Sequence, residues 1–299
     1  MGELDNRTSF SGHGWRRVPD EIRATGLMSQ NRFRLPLRPR SAGPGALRRL
    51  VELASRGVVL RRRLPARFGN RCLYVSPECS LRYWRFDLGK IDPVLLDWAE
   101  HCVRPGDVVW DVGANVGLFT FAAAHRAARV LAFEPDPWLA DLLEKTAASF
   151  TNVSVIRAAV ADYCGDGELH IAARARGSNF LLGNGYGQSG GTRRLEKVRV
   201  VTLDSLGEAP PNVLKIDVEA GELAVLRGAR RLLAQSQPTL LCEVAEENAP
   251  AVTACLRGYA LFDAEHGQAV NTAVWNTLAV PAAALDSTPL EPANTAQQI

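Results

Sequence analysis

The sequence predicts an α/β fold built on a mostly parallel sheet with an antiparallel edge. Three observations point there. From Asp107 onward, short apolar runs alternate with helix-like segments, a pattern that buries a parallel sheet between two helical layers. The first of those runs ends in "DVGANVG" (111–117), a glycine turn of the kind found where such a sheet meets a ligand. The last two runs, "YALFD" and "AVWNTLAVP", follow each other with no helix between and read as antiparallel strands at the sheet edge.

Taken in order, residues 1–44 are polar, arginine-rich and broken by "LPLRPRSAGPG", so little fixed structure is expected of this arm. An extension over 45–104 follows. "ALRRLVELASRG" (46–57) places Leu47, Leu50, Val51 and Ala54 on one helical face. "GVVLRRRLP" and "RCLYVSP" form a hairpin pattern, and "PVLLDWAEHCV" (93–103) a helix stopped by Pro105 and Gly106. The main domain, 105–284, has candidate strands at 107–112, 128–134, 153–160, 213–218 and 239–244. Helical segments at 116–126, 137–149, 221–235 and 247–257 separate them. "GELHIAAR" and "KVRVVTLDSL" interrupt this rhythm with strand-like pieces around a Gly-rich loop, 177–191. Residues 285–299 form a tail.

With 299 residues, 46% hydrophobic and 22% charged, the chain has the composition of a globular protein with one sizeable core. Its net charge of +3 hides an asymmetry: residues 1–70 carry a net +10, and the remainder a net −7. The basic segment reads either as a solvated leader or as an arm drawn to an anionic partner. Cys72, Cys79, Cys102, Cys164, Cys242 and Cys255 show no C-x-x-C spacing, which points to buried thiols in a reducing compartment rather than to a zinc site or disulfide framework. The five histidines form no ligand cluster, and no catalytic metal is expected. No apolar run approaches the roughly 18 residues of a membrane span. "MGELDNRTSF" lacks the apolar core of a signal peptide, and Asn6 stands where a myristoylation signal needs Ser or Thr. The expected location is the cytoplasm.

The glycine turn narrows the ligand. Gly113 can take a backbone conformation closed to other residues and admits a close approach, while Gly117 allows tight packing of the next helix. Asn115 occupies the second glycine position of a dinucleotide fingerprint, and Asp111 beside bare amides would repel a pyrophosphate. Both features argue against a nicotinamide-dependent oxidoreductase. Glu134, ending the second strand 23 residues after Asp111, can accept both ribose hydroxyls of an adenosine. An acid at the turn and an acid for a ribose suit an adenosine ligand with positive charge and no phosphates, which describes S-adenosylmethionine.

"DVGANVGLFT", "AFEPDP", "VTLDSL" and "LKIDVEAGELAVLRGA", in this order over residues 105–280, resemble the FkbM family of S-adenosylmethionine-dependent methyltransferases. The resemblance implies a class I methyltransferase (Rossmann-like) fold with a seven-stranded sheet. It also implies O-methylation of a sugar or natural-product small molecule, with Asp111, Gly113, Asn115 and Gly117 cradling the methionine end of the cofactor. Glu134 is then the ribose ligand, and Asp162, after the third strand, stands where it would meet the adenine. One departure is visible: the family pattern D-x-E-G-x-E reads Asp217-Val218-Glu219-Ala220-Gly221-Glu222 here.

For the chemistry, an acceptor hydroxyl must lose a proton. Asp217, ending the fourth strand, is the first candidate base, unless it caps the following helix or pairs with Lys215. Glu243, ending the fifth strand, is the second. Two other readings stay open at this point. One is a nucleic-acid methyltransferase that uses the basic arm; the acidic catalytic portion and the lack of interleaved aromatics argue against it. The other is a non-catalytic S-adenosylmethionine binder, made conceivable by the altered Glu-Ala-Gly-Glu block.

Overall fold

Residues 45–183 and 190–286 are described by the structure, a computed structural model. The expectations for the arm 1–44, the centre of the Gly-rich loop and the tail from 287 onward lie outside the described residues.

The extension contains helix α1 (Ala46–Ala54), an antiparallel pair of strands β1 (Leu60–Arg63) and β2 (Cys72–Val75), and helix α2 (Pro93–His101). Helix α2 starts where the sequence provides both start signals. The Asp92 carboxylate accepts from the Leu95 amide at 3.0 Å, and Pro93 occupies the first turn. Leu73, Val75, Leu88 and Leu96 turn inward onto the main domain's core. Full burial is worth about 1.5–3 kcal/mol for each such side chain, so the extension is part of the fold and not a loose appendage.

The main domain runs β3 (Val108–Val112), α3 (Leu118–Ala123), β4 (Arg129–Phe133), α4 (Pro137–Ala147) and β5 (Val153–Ile156). After an insert come β10 (Val213–Ile216), α5 (Glu222–Arg227), α6 (Arg230–Gln235), β11 (Thr239–Glu243) and α7 (Ala249–Cys255). The chain then forms β12 (Tyr259–Asp263), β13 (Gln268–Val270), β14 (Asn276–Pro281) and α8 (Ala282–Asp286). The sheet order is β13-β12-β14-β11-β10-β3-β4-β5. Strands β5, β4, β3, β10 and β11 are parallel, and β14 lies antiparallel between β11 and β12. This is the expected Rossmann-like, class I methyltransferase arrangement of seven strands. An eighth, β13, is added at the rim. Its "QAV" carries no apolar run, which is why it reads as turn in the sequence.

Two sequence expectations are corrected. The run 153–160 is two strands, not one: β5 ends at Ile156, and β6 (Ala159–Val160) belongs to a second sheet. That sheet, ordered β6-β9-β7-β8, comprises β7 (Gly165–Ala172), β8 (Phe180–Leu181) and β9 (Thr192–Val201). It occupies the crossover from β5 to β10. There Val160, Val201 and Leu203 pack with Leu131, Phe133 and Leu226, covering the sheet face that a crossover helix would otherwise cover. The segment 221–235 also divides, into α5 and α6. A Cβ at Gly228 between them would overlap the Ala161 carbonyl, so the break brings this helical layer directly against the chain leaving β6.

Phe119, Phe121, Leu139 and Leu143 fill one face of the main sheet, and Trp110, Leu226, Leu233 and Val252 the other. With both faces covered, the parallel strands present only their carboxyl ends to a ligand. Among the described residues no helix is long and apolar enough to cross a membrane.

Candidate functional site

Asp111, next to the last residue of β3, has a side chain with no exposed surface. Thr120 donates to its Oδ2 at 2.5 Å, and Lys215 Nζ stands 3.1 Å from its Oδ1. Lys215, on the neighbouring strand β10, also donates to the Gly113 carbonyl at 2.9 Å and sits 3.2 Å from Asp217 Oδ2. Burial alone would lower the Lys215 pKa, but the Asp111 and Asp217 carboxylates hold it above its ordinary value. Asp111 therefore lies beneath the site and fixes a buried cation. Its carboxylate does not line the cavity, because β3 points it into the layer under the turn.

The turn itself is held by three left-handed residues, Gly113, Asn115 and Gly117, with φ of 78°, 54° and 85°. At Gly113 a Cβ would overlap the Asp217 carbonyl oxygen, so the ends of β3 and β10 meet through bare backbone. Asn115 tolerates its conformation by accepting a 2.8 Å bond from the Val116 amide. A Cβ at Gly117 would run into Phe121 and Leu143; this glycine serves helix packing.

Glu134 follows β4 and faces the same cavity. Its Oε2 accepts from the Asn115 amide at 2.8 Å and its Oε1 from the Asp136 amide at 2.9 Å. Burial pushes its pKa up to about 8. Each oxygen keeps a lone pair for another donor.

Gly113, Asn115, Glu134 and Asp217 converge on one cavity, whose apolar wall is Ala158, Ala159, Val160, Leu169 and Leu181. Asp162 is exposed and outside it. The chain leaves the main sheet at Ile156, and Ala158, Ala159 and Val160 line the cavity where Asp162 does not.

On the opposite side of Asp217 stands Glu243, half-buried, its pKa pushed up to about 9 by burial and by the charges of Asp217 and Glu219. Buried Glu222 accepts a 3.0 Å bond from Asn248, and burial raises its pKa too. The extension closes this side. Burial raises the pKa of both Tyr83 and Asp92, and the Asp217 charge pushes each the same way. Ala220, where the family pattern has glycine, is left-handed with φ of 56°. The departure thus keeps the backbone shape and loads it onto an alanine.

A second group of residues was not singled out in the sequence. Arg176, from the insert, lines the cavity while its Nε lies 2.9 Å from Glu78 Oε1 of the extension. Its Nη1 lies 2.8 Å from Asp136 Oδ1, at the start of α4. Asn179 donates to Asp136 at 2.7 Å, Arg193 reaches Glu78 at 2.8 Å, and the Arg176 guanidinium sits 4.8 Å from the Trp138 ring centroid. Extension, sheet and insert are clamped together over the cavity.

The lining fits an adenosine ligand with a cationic centre. The turn offers backbone free of side chains, Glu134 offers acceptors for paired hydroxyls, and Glu134, Asp217 and Glu219 make the cavity acidic. Arg176 in the lining is bound to two carboxylates, so no arrangement for a pyrophosphate results.

Comparison with known proteins agrees. A family model described as the methyltransferase FkbM domain matches residues 111–266. A hexuronic acid methyltransferase, AglP, from Haloferax volcanii is 32% identical over 153 residues, which cover 50% of this chain and 59% of that protein. The chain thus matches little more than half the length of this relative. Among solved structures, a methyltransferase FkbM from Methylobacillus flagellatus KT aligns with a TM-score of 0.41 at 16% identity, covering 58% of this chain and 43% of that one. The Pyrococcus abyssi tRNA (uracil-54, C5)-methyltransferase, in complex with S-adenosyl-L-homocysteine, aligns with a TM-score of 0.40 at 10% identity, covering 74% and 43%. With the domain model spanning more than half the chain and the acidic glycine turn at its start, the protein belongs to the FkbM family of methyltransferases and takes S-adenosylmethionine as its cofactor.

Proposed function

We propose that this methyltransferase acts on a hydroxyl of a sugar or related small molecule. The observation that carries the proposal is the pair of carboxylates, Asp217 and Glu243, brought side by side at the carboxyl ends of the adjacent parallel strands β10 and β11. Two close carboxyl groups do not both ionise readily. Glu243, pushed up to about 9 by burial and by the neighbouring Asp217, keeps its proton near neutral pH, while Asp217 stands 3.2 Å from the Lys215 ammonium. Such a carboxylate can take the proton of a hydroxyl as it becomes a nucleophile.

Bound S-adenosylmethionine supplies an electrophilic methyl group on a sulfonium. Gly113 and Asn115 present backbone to its methionine end, and Glu134 accepts from its ribose hydroxyls. Asp111 acts through Lys215, fixing the cation that orients Asp217. The apolar wall at 158–160 receives the adenine in place of Asp162. The hexuronic acid specificity named for the AglP relative supports a sugar acceptor.

The test is production of S-adenosylhomocysteine with a panel of hexuronates, neutral hexoses, phenols and short RNAs. Transfer to a sugar hydroxyl is the expected result. Transfer confined to RNA, or to a nitrogen acceptor, overturns the proposal.

A further inference from the structure

Helix α1 is mounted in reverse. A surface helix ordinarily turns its apolar stripe to the core and its polar side to water. Here the polar side faces the protein: Glu52 bonds Arg174 of the insert at 3.1 Å, and Ser55 is buried. The apolar stripe faces out, with Leu47 75% and Leu50 62% exposed and Val51 also exposed. Exposed aromatic side chains lie near the end of the helix. Trp84, 43% exposed, donates its indole N–H to Ser55 at 3.0 Å, one turn past Val51. Phe86, 86% exposed, lies under the Arg62 guanidinium, 4.7 Å from its ring centroid, and Arg62 bonds the carbonyls of Trp84 and Arg85. The extension thus exposes aliphatic side chains on α1 and aromatic ones at Trp84 and Phe86, the latter against an arginine. The surrounding charge is net positive. The extension, residues 45–104, holds eleven arginines and Lys90 against six acids, Glu52, Glu78, Asp87, Asp92, Asp97 and Glu100, with Arg67 bridging Asp97 and Glu100. Glu52 and Glu78 are already bound to arginines of the insert.

We propose that this face of the extension docks on an anionic lipid bilayer, with Leu47, Leu50, Trp84 and Phe86 entering the interface and the arginines meeting the headgroups. Apolar side chains ringed by cations are what binding to such a surface requires. A nucleic acid would use the arginines but offers nothing to the leucines. A second copy of the chain would bring two strongly basic surfaces together, and like charges oppose that contact. The adjoining arm 1–44 adds further net positive charge in sequence, which strengthens attraction to the same surface.

The full chain is sedimented with vesicles of phosphatidylcholine alone and of equimolar phosphatidylcholine and phosphatidylserine. Binding to the anionic vesicles, weakened by salt and absent from the neutral ones, is expected. The double variant Leu47→Asp/Leu50→Asp, and separately Phe86→Ser, should lower that binding about tenfold or more. Unchanged S-adenosylhomocysteine affinity in these variants shows that the fold is intact. The proposal is overturned by no binding to anionic vesicles, or by binding that the variants leave undiminished. Lipid-free dimerisation that the double variant abolishes would assign the face to a second copy. A preference for RNA over vesicles, or lipid binding seen only after removal of residues 1–44, would overturn it as well.

Discussion

Cofactor binding should expel a proton from Glu134. In the ligand-free site burial pushes this carboxyl up to about 8, so at pH 7 roughly nine molecules in ten carry it protonated. Two ribose hydroxyls donating to Glu134 favour the ionised form. Binding at pH 7 then releases close to one proton, and affinity climbs about tenfold per pH unit below 8, or about 1.4 kcal/mol, levelling off above it. Calorimetric titration with S-adenosylhomocysteine in buffers of different ionisation enthalpy measures the proton count. Glu134→Gln supplies the reference, because it keeps the shape and cannot titrate, and any contribution from the ligand's own amino group is common to both proteins. The same raised pKa bears on stability with a definite sign. Between the ordinary carboxylate range and about 8 the folded state holds a proton that the unfolded state has lost, so wild type loses stability as pH rises through that window. Glu134→Gln should therefore gain melting temperature relative to wild type from pH 5 to pH 8. Identical proton release by both proteins, together with a flat stability difference, would refute the assignment of Glu134 to the ribose.

Asp217→Asn should lower turnover by about 10²–10⁴, with S-adenosylhomocysteine affinity little changed. It should also move the Glu243 titration downward, since the Asp217 charge helps to raise it; a pH–rate profile reads both. Lys215→Met leaves Asp111 buried and unpaired, a defect of about 3–5 kcal/mol, and adding Asp111→Asn should recover much of it in chemical denaturation. Ala220→Gly relieves a left-handed alanine and should stabilise the fold by about 1 kcal/mol. An unchanged denaturation midpoint would show that the turn carries no strain.

The main sheet and the turn were legible because they are local. Asp111, Gly113, Glu134 and Asp217 each end a short apolar run, and the strand order that joins those ends follows from the alternation with helices. Even the Lys215–Asp217 pair is a two-residue spacing along one strand. The clamp was not legible, because its members come from separate segments: Arg176 meets Glu78 across 98 positions and Asp136 across 40. An arginine in "RARGSN" looks like any solvated arginine until β6 carries the chain out of the main sheet. That departure has no glycine or proline to mark it. Arg157 starts the crossing while bonded to Glu144 of α4, so a run of apolar residues continues past a real break. Asp162 lies outside the cavity lining for the same reason.

The position of β14 sets an order on assembly. Although it is the last strand among the described residues, it lies between β11 and β12, with Leu240 facing Ala279 on one side and Leu261 facing Ala279 on the other. During synthesis, β11 and β12 must each wait with an unpaired edge until residues 276–281 emerge. Because β12 reaches β11 only through β14, residues 259–270 cannot join the main sheet before that strand is made. A nascent chain halted before Pro281 would expose two facing ladders of unsatisfied amides and carbonyls, a template for joining other chains. Completion of this enzyme's core is thus tied to the arrival of β14.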